Sequence, residues 1–477
     1  MKLWICTALL FLCAIQNGHA QLRLQQLTEA QFGNIPTDTS SFFPSLYNKT
    51  HLHYQIKKIK LTAAFQQFHT PYSSRNYLQL QQVQLDYYSS KFSFQLGHIY
   101  QTVARGILLR TFEIPGALFE ELSFRSKQQF YRDLLGGQIR WKLNHLTIKG
   151  LYGLPLINTL PPTFMDKKRR VEKLAYLGIN YQINKHAAEV NMLSNSSKQN
   201  TEWLGAFSIS GPLLPFIQYT GIWSSNGADK NAFYANMNIS FPKIGITIEY
   251  KDYRNYVLGS SFNEPPALVK EHNYRVLNRM THIPIPQSEK GYQIEAVFLF
   301  DDLSILTLNH ALAINQIGGK QIYREYYLEY QKELRSGLDS KVFINYAVDP
   351  IQLQSLRLSG GIYNTIVLEG GASLELNWEY QRFDNDVQTG FNQYYGLGFS
   401  SGNQFSSFLS VEASNDQLLI DQPYKLWIGG GGKFKVSSNH SITFFAGERR
   451  GGPACTAGIC YNVLDFKGFE IRWNSTI

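Results

Sequence analysis

One segment of this chain carries an unusual density of ionisable and large apolar side chains. It reads ARGILLRTFEIPGALFEELSFRSKQQFYRD and spans 104–133. Its ionisable residues are Arg105, Arg110, Glu113, Glu120, Glu121, Arg125, Lys127, Arg132 and Asp133, and its apolar residues include Ile107, Leu108, Leu109, Phe112, Phe119 and Phe124. A loop this apolar is not expected to stand free in water. It either folds inward to constrict a pore, with its charges meeting charges of the lumen, or packs as an extracellular loop or lid held by its own ion pairs.

A second segment, NEPPALVKEHNYRVLNRMTHIPIPQSEKG, repeats this mixture at 263–291. If its ALVKEHNYRVLNRM portion is helical, Glu271, Arg275 and Arg279 share one face, because they are spaced i, i+4 and i+8. Ion pairing within the helix is one interpretation, and a ligand held by the basic face is the other. Glu271 and His272 also suggest a metal, but the second histidine four residues along that zinc enzymes use is missing.

Catalytic chemistry has little support in the sequence. His98, His282 and His310 lie near expected strand ends, and the sequence places no serine or acid partner with any of them. The run GGGGK at 429–433 is followed by Phe434, where a phosphate loop needs Ser or Thr. We therefore predict no catalytic, cofactor-binding or metal-binding residues, and an outer-membrane hydrolase is the weaker alternative.

Two cysteines lie close together near the end of the chain. Cys455 and Cys460 belong to the stretch GGPACTAGIC, whereas Cys6 and Cys13 lie in an N-terminal apolar run. In an exported protein, a pair at this spacing indicates a disulfide within one loop. A metal site would need more ligands than this stretch offers.

The elements that position these segments are strands. In FYANMNISFPKIGITIEYKDY, apolar residues occupy every second position from Phe233 to Phe241, and the parity switches after Pro242-Lys243. Alternation on both sides of a two-residue break predicts a β-hairpin with one apolar face and one polar face. Similar hairpins recur along the chain, and their connections alternate between very short turns and long loops.

This pattern predicts an all-β fold, a single transmembrane antiparallel up-and-down β-barrel. We expect about 24 strands, within a range of 20–26, with short periplasmic turns and long extracellular loops. The two longest loops are 99–132 and 254–288, and both termini belong at the short-turn end. A closed barrel satisfies every backbone group, as lipid requires. A soluble secreted all-β protein is the alternative.

Composition and the N-terminus agree with export to an outer membrane. Residues 1–20 combine Lys2, an apolar run and a small-residue cleavage site, which predicts a signal peptide ahead of a barrel spanning 21–477. Aromatic residues make up 14% of the chain, and barrels place aromatic girdles at both membrane interfaces. The net charge of +9 is scattered rather than grouped in a stripe, so nucleic acid is not an expected partner.

Several stretches resemble a family of Bacteroidota outer-membrane proteins of unknown function. They are RGILLRTFE, NEPPALVKEHNYRVLNRMTH, EKGYQIE and ERRGGPACTAGICYNVLDFKGFEI. The resemblance runs from about the fourth strand to the C-terminus and implies a Gram-negative outer membrane and a barrel. It brings no catalytic or ligand residue. A plug-containing TonB-dependent receptor is not expected, because strand-like alternation begins near Leu22 and leaves no room for a plug.

Two functions remain open at this point. A lumen of about 24 strands is too wide for its own side chains to fill, which favours a channel or transporter for polar or anionic solutes with long loops as gates. The alternative is a scaffold or docking component of a larger outer-membrane complex for secretion or surface attachment, with an occluded lumen. The expected partners are outer-membrane lipid, the barrel assembly machinery during biogenesis and, for the scaffold, another outer-membrane protein or lipoprotein.

Overall fold

The computed structural model describes most of the mature chain. The described residues are 20–35, 38–157, 168–169, 172–197, 200–258, 262–279, 282, 285, 287–385, 388–417, 420, 422–456 and 459–477. The expected signal peptide lies outside these residues except for Ala20, where the first strand begins. No described helix is long and apolar enough to cross a bilayer.

Twenty-four long strands form one closed sheet, which confirms the predicted fold class. In chain order they are β1 (Ala20–Ile35), β2 (Asp38–Ile56), β3 (Ile59–His69), β4 (Tyr77–Tyr88), β5 (Phe92–Ile99), β6 (Leu134–Leu143), β7 (Leu146–Ile157), β8 (Lys173–Ile183), β9 (His186–Ser196), β10 (Thr201–Leu214), β11 (Ile217–Ser225), β12 (Asn231–Ser240), β13 (Ile244–Arg254), β14 (Ser288–Leu299), β15 (Ile305–Asn315), β16 (Gln321–Arg335), β17 (Leu338–Asp349), β18 (Gln354–Val367), β19 (Ala372–Asn385), β20 (Thr389–Ser401), β21 (Phe405–Ser414), β22 (Lys425–Lys435), β23 (His440–Arg449) and β24 (Phe466–Thr476). Each strand pairs antiparallel with its neighbours in sequence.

The barrel closes between its first and last strands. Residues Gln25 to Gly33 of β1 pair antiparallel with Gly468 to Thr476 of β24, so the sheet has no free edge. A free edge would expose unpaired backbone groups, which a bilayer cannot hydrate. The closure therefore fits a membrane-spanning barrel.

The two ends of the barrel differ in their connections. At the short-turn end, tight turns such as Asn144-His145 and Asn184-Lys185 join the strands, and β1 begins and β24 ends there, as predicted. At the opposite end, the long-loop end, the chain leaves the sheet for 100–133 and 255–287. Other connections at this end, such as 226–230, 316–320 and 386–388, are short. A connection that does not enter the lumen needs only enough residues to reverse the chain.

The outer face of the barrel is apolar and the inner face is mostly polar. On β12, Phe233 is 40% exposed on the outside, whereas Tyr234 and Asn236 are buried on the inside. Trp203 and Trp223 are more than half exposed on the outer face, as expected of residues in contact with lipid. The alternation read in the sequence therefore separates a lipid face from a lumen face.

The second long loop contains little helix. Residues 262–274 have no helical turn, and the α-helix covers only Arg275–Asn278. The longer helix expected there is not formed, since Pro265 and Pro266 precede it and the following residues find partners on the barrel wall instead of within a helix.

Candidate functional site

The lumen is occupied by the two long connections, which we call loop A (residues 100–133) and loop B (residues 255–287). Loop A joins β5 to β6, and loop B joins β13 to β14. Both turn back into the barrel and pack against inward-facing strand residues. The candidate functional site is therefore the interior of the barrel near the long-loop end.

Loop A begins with a tight turn that carries apolar residues across the lumen. Ala104, Arg105 and Gly106 all have positive φ, at 49°, 53° and 90°. This turn presents Ile107 and Leu108, which are fully buried. They belong to one cluster with the inward-facing side chains Leu134, Leu151, Leu174, Leu193, Leu204, Ile222 and Tyr234. The inner wall of β6–β12 thus has an apolar belt that the turn covers.

Arg105 lies at the tip of this turn and reaches the far wall. Its guanidinium donates hydrogen bonds to the hydroxyls of Tyr234, at 3.3 Å, and Thr220, at 3.5 Å. The same group lies 5.6 Å from the centre of the Tyr234 ring. A side chain placed near the start of the loop is therefore held by β11 and β12.

The second half of loop A is a small hairpin, Phe112–Glu120 with Lys127–Arg132. Phe112, Ile114, Phe119 and Phe130 form its own apolar cluster. Its polar side chains face the wall formed by β1–β3. Glu113 pairs with Lys49 and lies 3.7 Å from His51, and the backbone N–H of Gln129 donates to Gln66 at 3.0 Å.

Buried ion pairs hold this hairpin near the barrel closure. Lys127 pairs with Glu29 of β1, and Glu29 also pairs with Arg472 of β24. Glu120 lies 2.6 Å from Arg125 and 3.2 Å from Lys127. Burial raises the pKa of Glu120, but Arg125 and Lys127 outweigh it and lower the pKa to about 2. The carboxylate is therefore charged at neutral pH, and each charge in this cluster has an opposite partner.

Arg125 links the hairpin to two separate strands. Its Nε donates to the carbonyl of Asn34 on β1 at 2.9 Å, and its Nη2 donates to the carbonyl of Asp465, next to β24. The side chain is almost fully buried. A buried guanidinium with several acceptors fixes its surroundings more firmly than an exposed pair does.

Loops A and B are hydrogen-bonded to each other. The N–H of Glu264 donates to the carbonyl of Gly106, and the N–H of Arg110 donates to the carbonyl of Phe262, each at 2.9 Å. The Asn263 side chain donates to the carbonyl of Ile107 at 3.2 Å. A Cβ at position 106 would collide with the Glu264 carbonyl, so glycine is required for this approach. The two loops thus form one plug.

Loop B sets basic and hydroxyl groups against a wall of carboxylates. His272 lies 2.9 Å from Glu325 of β16, and the Arg275 guanidinium lies 2.7 Å from Glu412 of β21. The N–H groups of Arg275 and Val276 both donate to Glu379 at 2.8 Å. The Tyr274 ring stacks on Phe343 of β17 at 3.8 Å between centroids. Loop B therefore crosses the lumen from β13 to β21.

His282 is buried between two carboxylates. Its Nδ1 lies 2.9 Å from Asp349 of β17, and its Nε2 lies 3.9 Å from Glu289 of β14. Burial lowers the pKa of His282, but the hydrogen bond to Asp349 and the nearby Glu289 outweigh it and raise the pKa above its ordinary value. Glu289 is also paired with Lys251 of β13.

The remaining residues singled out in the sequence have varied surroundings. Arg110 lies near Glu264. Glu121 accepts N–H groups of its own loop and lies 3.9 Å from Arg75. Glu271 is exposed, and the ion partner of Arg275 is Glu412, so pairing of Glu271 with Arg275 along a helix is not the arrangement found. Arg279 is buried, and its guanidinium lies 3.5 Å from the Gly452 carbonyl.

The predicted disulfide falls on a short hairpin between β23 and β24. Strands Gly452–Thr456 and Ile459–Val463 pair so that Cys455 lies directly opposite Cys460. The side chains of both cysteines lie outside the described residues. The disulfide therefore stays a prediction.

Reasoning from sequence missed the wall residues that receive the loops. Glu29, Lys49, Glu325, Glu379 and Glu412 were not singled out, because each is one polar residue among many on the lumen face of its strand. The apolar belt did leave a signal. Strand β8 is apolar on both faces: Leu177 and Ile179 point outward, and Leu174 and Tyr176 point into the lumen. A water-filled lumen does not require apolar residues on its inner face.

Below loop A the lumen is open. A cavity of about 870 Å³ extends from Glu113 and Gln129, which form its roof, to the turns at 402–404 and 437–439 of the short-turn end. Within the described residues, no group of three or more His, Cys, Asp or Glu side chains is placed to hold a metal ion.

Comparison with known proteins shows the fold. No protein-family model and no curated protein sequence matches the chain. Among solved structures, the P pilus usher (PapC) translocation pore is 8% identical over 95% of this chain and 99% of its own, with a TM-score of 0.50. A ferric enterobactin receptor (PfeA) mutant of Pseudomonas aeruginosa is 10% identical over 96% of this chain and 80% of its own, with a TM-score of 0.45. OccAB2 of Acinetobacter baumannii covers 69% of this chain and 92% of its own at 9% identity and a TM-score of 0.39.

Proposed function

We propose that this chain is a gated outer-membrane channel for polar solutes, closed in the present state by loops A and B. The observation that carries the proposal is that the two loops contact inward-facing residues of strands from β1 to β21 and hydrogen-bond to each other across the lumen. A barrel of 24 strands has an interior far wider than its side chains can fill. Removal of the plug would therefore leave a water-filled pore.

The way the loops are attached supports a gate. Loop A leaves the sheet at Ile99 and returns at Leu134, and these residues are direct partners across two neighbouring strands. Loop B likewise leaves at Arg254 and returns at its partner Ser288. The barrel is therefore complete without either loop, and its strand pairing does not depend on where the loops lie.

Location in a Gram-negative outer membrane is part of the proposal. The apolar outer face supports it, together with the export signal expected in residues 1–20 and the resemblance of the loop segments to Bacteroidota barrels. In that setting the short-turn end would face the periplasm and the long-loop end the exterior.

The proposal is tested by ion conductance in planar bilayers. The full-length barrel is expected to be almost silent, whereas deletion of Arg105 to Phe130 is expected to give large, steady conductance steps. The deletion leaves 100–104 and 131–133 to join Ile99 to Leu134, which lie side by side. Replacing the exposed turn 316–320, at the same end, is the matched control and should leave the barrel silent.

A point substitution avoids the deletion. Leu108 is fully buried under the turn of loop A. Leu108→Asp would therefore place a charge in an apolar cluster, at a cost of about 3 kcal/mol or more. We expect Leu108→Asp to open the pore intermittently and Leu108→Met to leave it closed. Both variants must first be shown to be folded, by their migration as unheated, folded barrels on denaturing gels. If neither the deletion variant nor Leu108→Asp then conducts, the result would contradict the channel and favour the occluded scaffold.

A further inference from the structure

The open part of the lumen is strongly basic on one side. The cavity of about 870 Å³ below loop A is lined by four lysines, Lys49, Lys60, Lys433 and Lys435, and by the histidines His51, His53 and His440. Among the described residues that line it, Glu113 is the one carboxylate. Asp86 lies opposite Lys60 in the strand register, where it accepts hydrogen bonds from Gln84 and Gln95. The cavity therefore carries an excess of positive charge that its own residues do not neutralise.

The basic residues are arranged by depth. Lys433 and Lys435 are exposed at the short-turn end, and Lys60, the second residue of β3 at the same end, is partly buried. Within the described part of the chain, none of these three lysines makes an ion pair. His51 and His53 lie higher, with rings 6.0 Å apart, and Lys49 is buried at the roof against Glu113. Lysines thus lie at the mouth and at the roof of the cavity, with the two histidines between them.

Such a cavity attracts and retains anions. Protein walls of low dielectric constant focus the field of lysines in a cleft, which raises the local concentration of an opposite charge. Ammonium groups donate strong hydrogen bonds to phosphate and carboxylate oxygens. Neutral donors at the same level, such as Gln82, Gln84 and Asn474, could complete the contacts.

We propose that this cavity, which we call the basic vestibule, binds a small, multiply charged anion with phosphate or carboxylate groups. The inference deepens the proposed function and rests on it, since it names the class of solute that the channel would accept. The roof connects binding to the gate. An anion that reaches Lys49 competes with Glu113 for the same ammonium group, so its binding weakens one contact that holds loop A.

The test is calorimetric titration of the full-length barrel in detergent at low salt. The probes are inorganic pyrophosphate and citrate, which separate the phosphate and carboxylate sources, and maltose as a neutral solute. The test variant is Lys60→Gln, Lys433→Gln and Lys435→Gln combined. The matched control is Lys91→Gln, Lys185→Gln and Lys320→Gln, three exposed turn lysines away from the vestibule.

We expect at least one anion to bind the wild-type and control barrels with equal affinity. The affinity of the vestibule variant for that anion should be lower by about tenfold or more, and maltose should bind none of the three barrels. Equal binding to all three barrels, equal weakening in both variants or no anion binding at all would overturn the inference. Binding to the closed barrel does not require conductance. Conductance without binding would therefore overturn only the inference, and binding without conductance in the loop deletion would overturn only the channel.

Discussion

Single charged side chains attach the two loops to the barrel wall. Lys127 on Glu29, His272 on Glu325 and Arg275 on Glu412 each join a loop residue to a carboxylate of a strand. Desolvation offsets much of the attraction in a buried pair, yet the loss of one partner costs about 3–5 kcal/mol. Such contacts define where a loop lies without holding it as firmly as a large apolar core would.

At this scale, the plug is expected to respond to pH through His282. Its pKa is raised by Asp349 and Glu289, so protonation stabilises the attachment of loop B. This stabilisation is complete below the ordinary histidine pKa of 6.5 and is lost as pH rises through the raised value. Lys251 pairs with the same Glu289, and the Tyr323 ring stacks on the imidazole.

The measurement is hydrogen–deuterium exchange of loop B peptides at about pH 6 and about pH 9, corrected for intrinsic rates. Loop B should exchange faster at the higher pH in the wild type. In His282→Gln, which has no charge to lose, exchange should be fast at both values. A wild-type loop with the same protection at both pH values would show that His282 does not carry the attachment.

At the scale of elements, the loops are insertions into an otherwise regular sheet. Each leaves and returns at paired residues, so their apolar and charged contacts are made with strands far away in sequence. Arg105 reaches Thr220 and Tyr234, and Arg275 reaches Glu412. A hairpin between β23 and β24 stands apart from this pattern because its two cysteines are register partners within six residues of chain.

We expect Cys455 and Cys460 to form a disulfide that fixes this hairpin. In the non-reduced protein, an alkylating reagent should label neither cysteine. After reduction, mass spectrometry should detect two labels. A loop this short is worth about 2 kcal/mol by closure entropy, so Cys455→Ser should increase proteolysis of the hairpin without unfolding the barrel. Two labels before reduction would exclude the disulfide.

For the whole molecule, the number of strands creates the need for a plug. Loop A covers the inner wall from β1 to about β13, and loop B covers it from β13 to β21, so neither loop can fill the lumen alone. On the short-turn side of loop A, the basic vestibule stays open. The two loops thus block the lumen near the long-loop end.

This division predicts how conductance adds. Deleting 262–279 from loop B should open one part of the lumen, deleting Arg105 to Phe130 should open another, and deleting both should give a conductance near the sum of the two. Bilayer recordings of the three variants at one salt concentration provide the comparison. A double deletion that conducts no better than either single deletion would mean that one loop alone controls the pore.

The sequence by itself determined the barrel. Alternation along strands such as β12 and β13, with tight turns at one end, predicts the fold and the approximate strand number because a side-chain period of two follows from local backbone geometry. It also located both long loops to within a residue or two and identified loop A as too apolar for water.

Only the tertiary structure decided what those loops touch. Lys127 pairs with Glu29, which is 98 residues away in the sequence, and Arg275 pairs with Glu412, which is 137 residues away. No local sequence pattern encodes contacts at such separations. The helix expected around Arg275 failed for the same reason, since Glu379 and Glu412 of the wall offer partners that a local helix does not. The basic vestibule likewise exists only because closure between β1 and β24 makes Lys60, Lys433 and Lys435 line one cavity.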